Sequence, residues 1–323
     1  MSPIRKISFS RIALLCLPIL SSPAVAVELG AVDVPIRLAV NEWTGQMLTT
    51  RIVGTMLIDA GYKVEYVTAG YQNMWQAVAD GDLDAAMEVW ASNVPETYHQ
   101  LHDAGKVEDL GDLALDAREG FVYPGYVAEA CPGLPDWKAL SECAAIFGTV
   151  ETFPNGRLLD YPGEWGTPGA DRITALSLPF NAVPAGSEGA LIAEFKSAQD
   201  QKIPLIAVFW QPHWAIATYD LKFVALPEGN EACYADPAVG PNPDVTGDCD
   251  FMPTRVFKAA WPGVKEKWPA AHEIMKNFTL TVEQQQPMLS AVDVDGRGVE
   301  EVVAEWMAAN EAVWLPTLEA VIK

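Results

Sequence analysis

The chain has 323 residues, half of them hydrophobic, with 43 acidic against 21 basic side chains and a formal net charge of −22. Such an acidic balance argues against nucleic acid or an anionic membrane surface as partner, because both would repel it. A cationic or zwitterionic small ligand is compatible with it.

The first 26 residues read as an export signal. Arg5, Lys6 and Arg11 form a basic start, residues 12–20 an apolar run, and Ala24-Val25-Ala26 a small-residue cleavage pattern. The apolar run is too short to persist as a membrane helix. Cys16 inside it follows Leu15 rather than a small residue, so no lipid anchor is expected. Losing these residues takes the net charge from −22 to −25. The expected product is soluble and periplasmic, and in that oxidising compartment the remaining Cys131, Cys143, Cys233 and Cys249 favour disulfides. Of three possible connectivities, the local one (Cys131 with Cys143, Cys233 with Cys249) closes the shortest loops.

A chain this long is comfortable as two domains. Residues 36–40 predict a strand, 47–60 a helix, 63–67 a strand, 72–79 a helix closed by Gly81, and 85–90 a third strand. That alternation is the signature of an α/β fold. A further helix is predicted over 95–104. From Gly120 the pattern begins again, with a short strand-like run at 126–128, a helical turn at 137–142 and a strand at 144–148. A loop rich in glycine and proline (154–169) and two helices (171–176, 188–200) lead to an apolar strand at 205–209. Residues 222–226 predict a strand returning to the first domain. Residues 228–253 carry no periodic pattern. Beyond them the sequence predicts helices at 257–260, 269–277, 281–291 and 298–321, the third opened by a Thr281/Gln284 capping box. Trp306, Met307, Trp314 and Leu318 share one face of the last helix and are expected in the core.

Four of the eleven tryptophans stand apart by context. Trp43 lies just past the first strand, in NEWTG. Trp90 ends the third strand, in AMEVW. Trp165 sits in the loop PGEWG, and Trp210 ends the 205–209 strand, in FWQPHW, where Pro212 stops the run. Ligands of open α/β sheets bind at the carboxyl ends of strands, and a core tryptophan has no reason to prefer those positions. Four indoles facing one point make a cage for a methylated ammonium group, whose nitrogen has no N–H to donate and whose charge is met by aromatic faces.

Polar candidates at the same cleft are Glu129, in GYVAEA, as an acidic partner and His213 as a donor. Glu42 and Glu88, close before Trp43 and Trp90, are expected to point away as solvated or capping carboxylates. Asp236, Asp244, Asp248 and Asp250 crowd the 233–249 loop and make a candidate Ca²⁺ site built of oxygen ligands, although the spacing is not that of an EF-hand. Phosphate-binding, zinc-protease and serine-hydrolase motifs are missing from the sequence, and no enzyme is expected.

The ordered set NEWTG, AMEVW, PGEWG and FWQPHW resembles the glycine betaine/choline/proline-type substrate-binding proteins of ABC transporters. Together with GYVAEAC and the cysteine-closed acidic loop it is most similar to the periplasmic trimethylamine N-oxide-binding proteins. The resemblance implies an α/β, two-lobed periplasmic binding protein of type II, each lobe a sheet flanked by helices, with ligand in the cleft between them. Lobe 1 would comprise residues 27–119 and 220–323, and lobe 2 residues 120–219. It implies a monomer that delivers ligand to a membrane permease and needs no cofactor. It also adds weight to a structural Ca²⁺ at the acidic loop. Few basic donors lie near the four tryptophans, which favours trimethylamine N-oxide over glycine betaine, with choline as a further alternative. A carbohydrate-active periplasmic protein is the rival class, since tryptophans also stack on sugars. A chemoreceptor partner in place of the permease would use the same site.

Overall fold

The computed structural model describes residues 27–322; the export signal expected over residues 1–26 lies outside them. Ten strands form two sheets: β1 (Ile36–Val40), β2 (Val64–Thr68), β3 (Ala85–Trp90), β4 (Glu108–Asp112), β5 (Arg118–Pro124), β6 (Gly156–Asp160), β7 (Phe180–Pro184), β8 (Ile206–Gln211), β9 (Leu221–Phe223) and β10 (Val256–Ala260). The first sheet runs β2-β1-β3-β10-β4 and the second β7-β6-β8-β5-β9. In each, four strands run the same way and one is reversed, β10 in the first and β5 in the second. β1 pairs in parallel with β2 and β3, and β6 with β7 and β8. β10 is antiparallel to β3 and β4, as β5 is to β8 and β9.

The first sheet is wound by the alternation the sequence predicts; the second is wound in the same way, although β6 and β7 are not among the predicted strands. Helix Thr44–Asp59 joins β1 to β2 and helix Trp75–Asp80 joins β2 to β3. Helix Pro168–Ala175 joins β6 to β7, and helix Glu188–Gln201 joins β7 to β8. The chain passes between the sheets twice, before β5 and before β10, and an antiparallel bridge between Ala117 and Thr254 ties the two passages together. The result is the two-lobed architecture, with the carboxyl ends of β1, β3, β6 and β8 supplying the cleft.

Several local expectations are corrected. Residues 257–260 belong to strand β10, whose five residues are all buried. A short apolar run covered on both faces carries no period, so strand and helix look alike in sequence. The run at 221–223 pairs with β5 at the edge of the second sheet rather than returning to the first; β10 makes that return. Ala144–Phe147 is a 3₁₀ turn and Val127–Ala130 a short helix. The loop at 154–169 contains β6, and 298–321 divides into helices Val299–Ala309 and Glu311–Ile322 at Asn310. Trp306, Met307, Trp314 and Leu318 are buried all the same. The capping box forms, Thr281 N–H donating to Gln284 Oε1 at 2.9 Å. Both local disulfides are present, with Cα–Cα distances of 5.5 Å for Cys131–Cys143 and 6.7 Å for Cys233–Cys249.

Candidate ligand site between the lobes

Trp43, Trp90, Trp165 and Trp210 line one cavity between the sheets, together with Tyr71, Asn93, Glu119 and Tyr161. Its volume is about 30 Å³. Each indole is positioned by the end of a regular element. Trp43 is the residue before helix Thr44–Asp59, Trp90 closes β3, Trp165 closes the 3₁₀ turn after β6, and Trp210 lies at the end of β8.

The rings meet edge to face, the arrangement the aromatic quadrupole favours. Trp165 stands 5.4 Å from Trp43 and 5.7 Å from Trp210, at 70° and 74°. Tyr161 contacts Trp165 and Trp210, and Tyr71 contacts Trp43. Trp210 is backed by Phe209, stacked at 4.3 Å.

On the first lobe the anchor is Glu88. Its Oε1 accepts from Trp43 Nε1 (2.8 Å) and Trp90 Nε1 (3.2 Å), and its Oε2 from Thr49 Oγ1 and Gln285 Nε2 (each 2.8 Å). The expectation that Glu88 points away is therefore wrong: it stands two residues before Trp90, the spacing that puts both side chains on one face of a strand. Burial raises its pKa, against the four hydrogen bonds that favour the charge. Gly45 allows this approach, because a Cβ there would lie 3.0 Å from Glu88 Oε1. Glu42, by contrast, is exposed.

The carboxylate that lines the cavity is Glu119, on β5, and not Glu129. Glu129 sits in the short helix after β5, exposed to solvent; β5 ends at Pro124, earlier than the predicted strand, and the chain has turned away by then. Glu119 is 3% exposed and accepts from Asn93 Nδ2 (2.5 Å), Tyr161 Oη (2.9 Å) and Ser92 Oγ. Ser92 and Asn93 follow β3, so Glu119 joins the lobes as well as facing the cavity. Burial pushes its pKa up to about 7, opposed by the bonds from Tyr161 and Asn93 and by the charge of Arg172. The sequence signal was a lone carboxylate in β5, between Arg118 and the apolar residues that follow. Tyr161 and Tyr71 carried no such mark.

His213 does not line the cavity. It packs edge-on against Trp210 at 5.2 Å and faces Glu188. The four aspartates of the acidic loop do not converge. Asp236 accepts from Ala238 N–H, Asp250 from Phe251 N–H, and Asp248 is buried against Asn242 N–H, while Asp244 is exposed. Among the described residues the side chains grouped closely enough to hold an ion are Glu188, His213 and Asp293, elsewhere in the fold. The Ca²⁺ expectation at 233–249 is thus without a ligand set.

A family model described as the substrate-binding domain of the ABC-type glycine betaine transport system matches residues 34–309. A trimethylamine N-oxide-binding protein of Pelagibacter ubique is 29% identical over 289 residues, covering 87% of this chain and 90% of that protein. Among solved structures, an ABC-transporter choline-binding protein with choline bound superposes with a TM-score of 0.71 at 17% identity, covering 89% of this chain and 96% of the other. Lactococcal OpuAC, closed on glycine betaine, gives 0.65 at 18%, covering 90% and 99%. At those identities the structures speak for a shared fold.

Proposed function

This chain belongs to the family of substrate-binding domains of ABC-type glycine betaine transport systems, and from that premise we propose that it captures trimethylamine N-oxide in a cage of Trp43, Trp90, Trp165 and Trp210. As a family member it is the substrate-binding component of an importer and not an enzyme. The observation that carries the ligand assignment is the lining of the cavity: four indoles, two tyrosines, Asn93 and Glu119, with no Arg, Lys or His.

A trimethylated nitrogen has no hydrogen to offer a carboxylate, and the aromatic faces meet its positive methyl shell instead. Four faces at about 0.5–2 kcal/mol each are enough for micromolar binding, about −8 kcal/mol. What distinguishes the ligands is the remaining group. The carboxylate of glycine betaine would lie in a cavity without a basic side chain, at the desolvation cost of an unpaired charge. The N-oxide oxygen needs one donor, and Glu119 supplies it when protonated. The relative from Pelagibacter ubique named for trimethylamine N-oxide supports the same choice.

Choline is the second reading, favoured by the same residue: once ionised, Glu119 would face its cationic head. A sugar ligand is not supported, since hydroxyls need more polar neighbours than Asn93 and Glu119 provide.

Calorimetric titration with trimethylamine N-oxide, glycine betaine, choline, carnitine and a maltooligosaccharide tests the proposal. Tightest binding to the N-oxide, with a change in tryptophan fluorescence, is expected. Tighter binding of betaine or of the sugar would refute it.

A further inference from the structure

Away from the cavity, the two lobes exchange a second set of polar contacts. Glu188 opens helix Glu188–Gln201 on the second lobe, and its Oε2 accepts the Thr44 backbone N–H of the first lobe at 2.8 Å. Asp293 ends helix Val282–Asp293 on the first lobe, and its Oδ2 accepts Trp214 Nε1 of the second at 2.8 Å. The exchange is reciprocal, each lobe giving one carboxylate to a donor of the other. Each carboxylate is also held within its own lobe: Glu188 Oε1 by His213 Nε2 (3.2 Å) and Asp293 Oδ1 by Thr44 Oγ1 (2.6 Å). Thr44, Glu188 and His213 are buried, and none of the five residues lines the cavity.

We infer that Glu188 and Asp293 form a latch that closes the lobes independently of which ligand is inside; this rests on the reading of the cleft as a ligand trap. Opening the cleft would return both carboxylates and both donors to water. A charge-assisted hydrogen bond shielded from solvent is among the stronger ones, so the pair biases the closed form. Apparent affinity scales with the fraction of protein in the binding-competent state. The latch therefore sets affinity without touching the ligand.

The same three side chains, Glu188, His213 and Asp293, lie close enough to suggest a metal site. The hydrogen bonds speak against it. His213 Nδ1 accepts the Ala215 N–H at 3.1 Å, which leaves the proton on Nε2, the nitrogen that faces Glu188. The position a cation would need is occupied by a donor already satisfied.

The test compares wild type with Trp214→Phe, which keeps the ring body and removes the N–H, and with Asp293→Ala and Glu188→Gln. Each is titrated with trimethylamine N-oxide and with choline, and its ligand-free form is measured by small-angle X-ray scattering. Trp214→Phe and Asp293→Ala should weaken both ligands by the same factor, about tenfold for one such bond, and enlarge the ligand-free radius of gyration. Glu188→Gln, which keeps a carbonyl oxygen for Thr44, should fall between them and wild type. Trp214→Phe is the variant least able to disturb folding, and a wild-type-like melting curve certifies it. Unchanged affinity and radius in a folded Trp214→Phe would overturn the latch. So would a loss confined to one ligand, or stoichiometric Zn²⁺ binding abolished by His213→Ala. If wild type bound neither probe, the ligand assignment would fail, while the scattering comparison would still decide the latch.

Discussion

Trp43 Nε1 lies 2.8 Å from Glu88 Oε1, and the same oxygen receives Trp90 Nε1. One buried carboxylate thus fixes the orientation of two cavity-lining indoles from different elements. Glu88→Gln replaces an accepting oxygen with an NH₂ group facing donors. The expected loss is about 2 kcal/mol of stability, the cost of leaving buried donors unpaired, together with ligand binding weakened about tenfold. Urea denaturation and calorimetry measure the two. Wild-type values for both would mean that Glu88 does not hold the rings.

Each cage indole is expected to count. Trp→Ala at position 43, 90, 165 or 210 removes one aromatic face and should weaken trimethylamine N-oxide binding by about tenfold, 1.4 kcal/mol being one decade. Full affinity after replacing two of them together would exclude the cage.

Glu119 gives the site a pH dependence of definite sign. Its carboxyl is pushed up to about 7 by burial, so the folded, closed protein holds that proton more tightly than the unfolded chain. The associated stability is fully present below the ordinary carboxyl range near 4.5 and is lost as pH rises to about 7. A shift of this size corresponds to a few kcal/mol at most, of order 3. Affinity for the N-oxide should decline as pH rises through 7, and affinity for choline should increase. Glu119→Gln should abolish both trends while keeping a donor for the N-oxide. Titrations well below and well above pH 7 check this; parallel pH profiles for the two ligands would contradict it.

The acidic loop makes a separate prediction. Asp236 and Asp250 are turned to their own backbone neighbours, Asp248 to Asn242 N–H, and the loop is closed by Cys233–Cys249. A chelator should leave the melting temperature unchanged, and reduction of the disulfides should lower it. A chelator-dependent drop of several degrees would show that an ion holds the loop.

How far the sequence carried depended on the kind of signal. The tryptophans were legible because each stands at an element boundary, where strand ends and glycine or proline mark the position. The αβ alternation of the first lobe was legible for the same reason, whereas in the second β6 and β7 were missed and the strands expected at 126–128 and 144–148 are helical turns. β10 was not, because VFKAA is buried on both faces and shows no period. Glu88 was misjudged by its spacing from Trp90, and Glu129 was preferred to Glu119 because β5 was placed too late in the chain. Thr44 and Glu188 lie 144 residues apart in sequence, and Trp214 and Asp293 79. A pairing of that range carries no local pattern, and only the folded chain displays it.

The most direct measurement is a crystal structure of the protein grown with trimethylamine N-oxide. The ligand nitrogen should lie within about 6 Å of the ring centroids of Trp43, Trp90, Trp165 and Trp210, with its oxygen in hydrogen-bond range of Glu119. A ligand bound elsewhere in the cleft, with the four indoles packed on one another and no guest between them, would contradict the assignment.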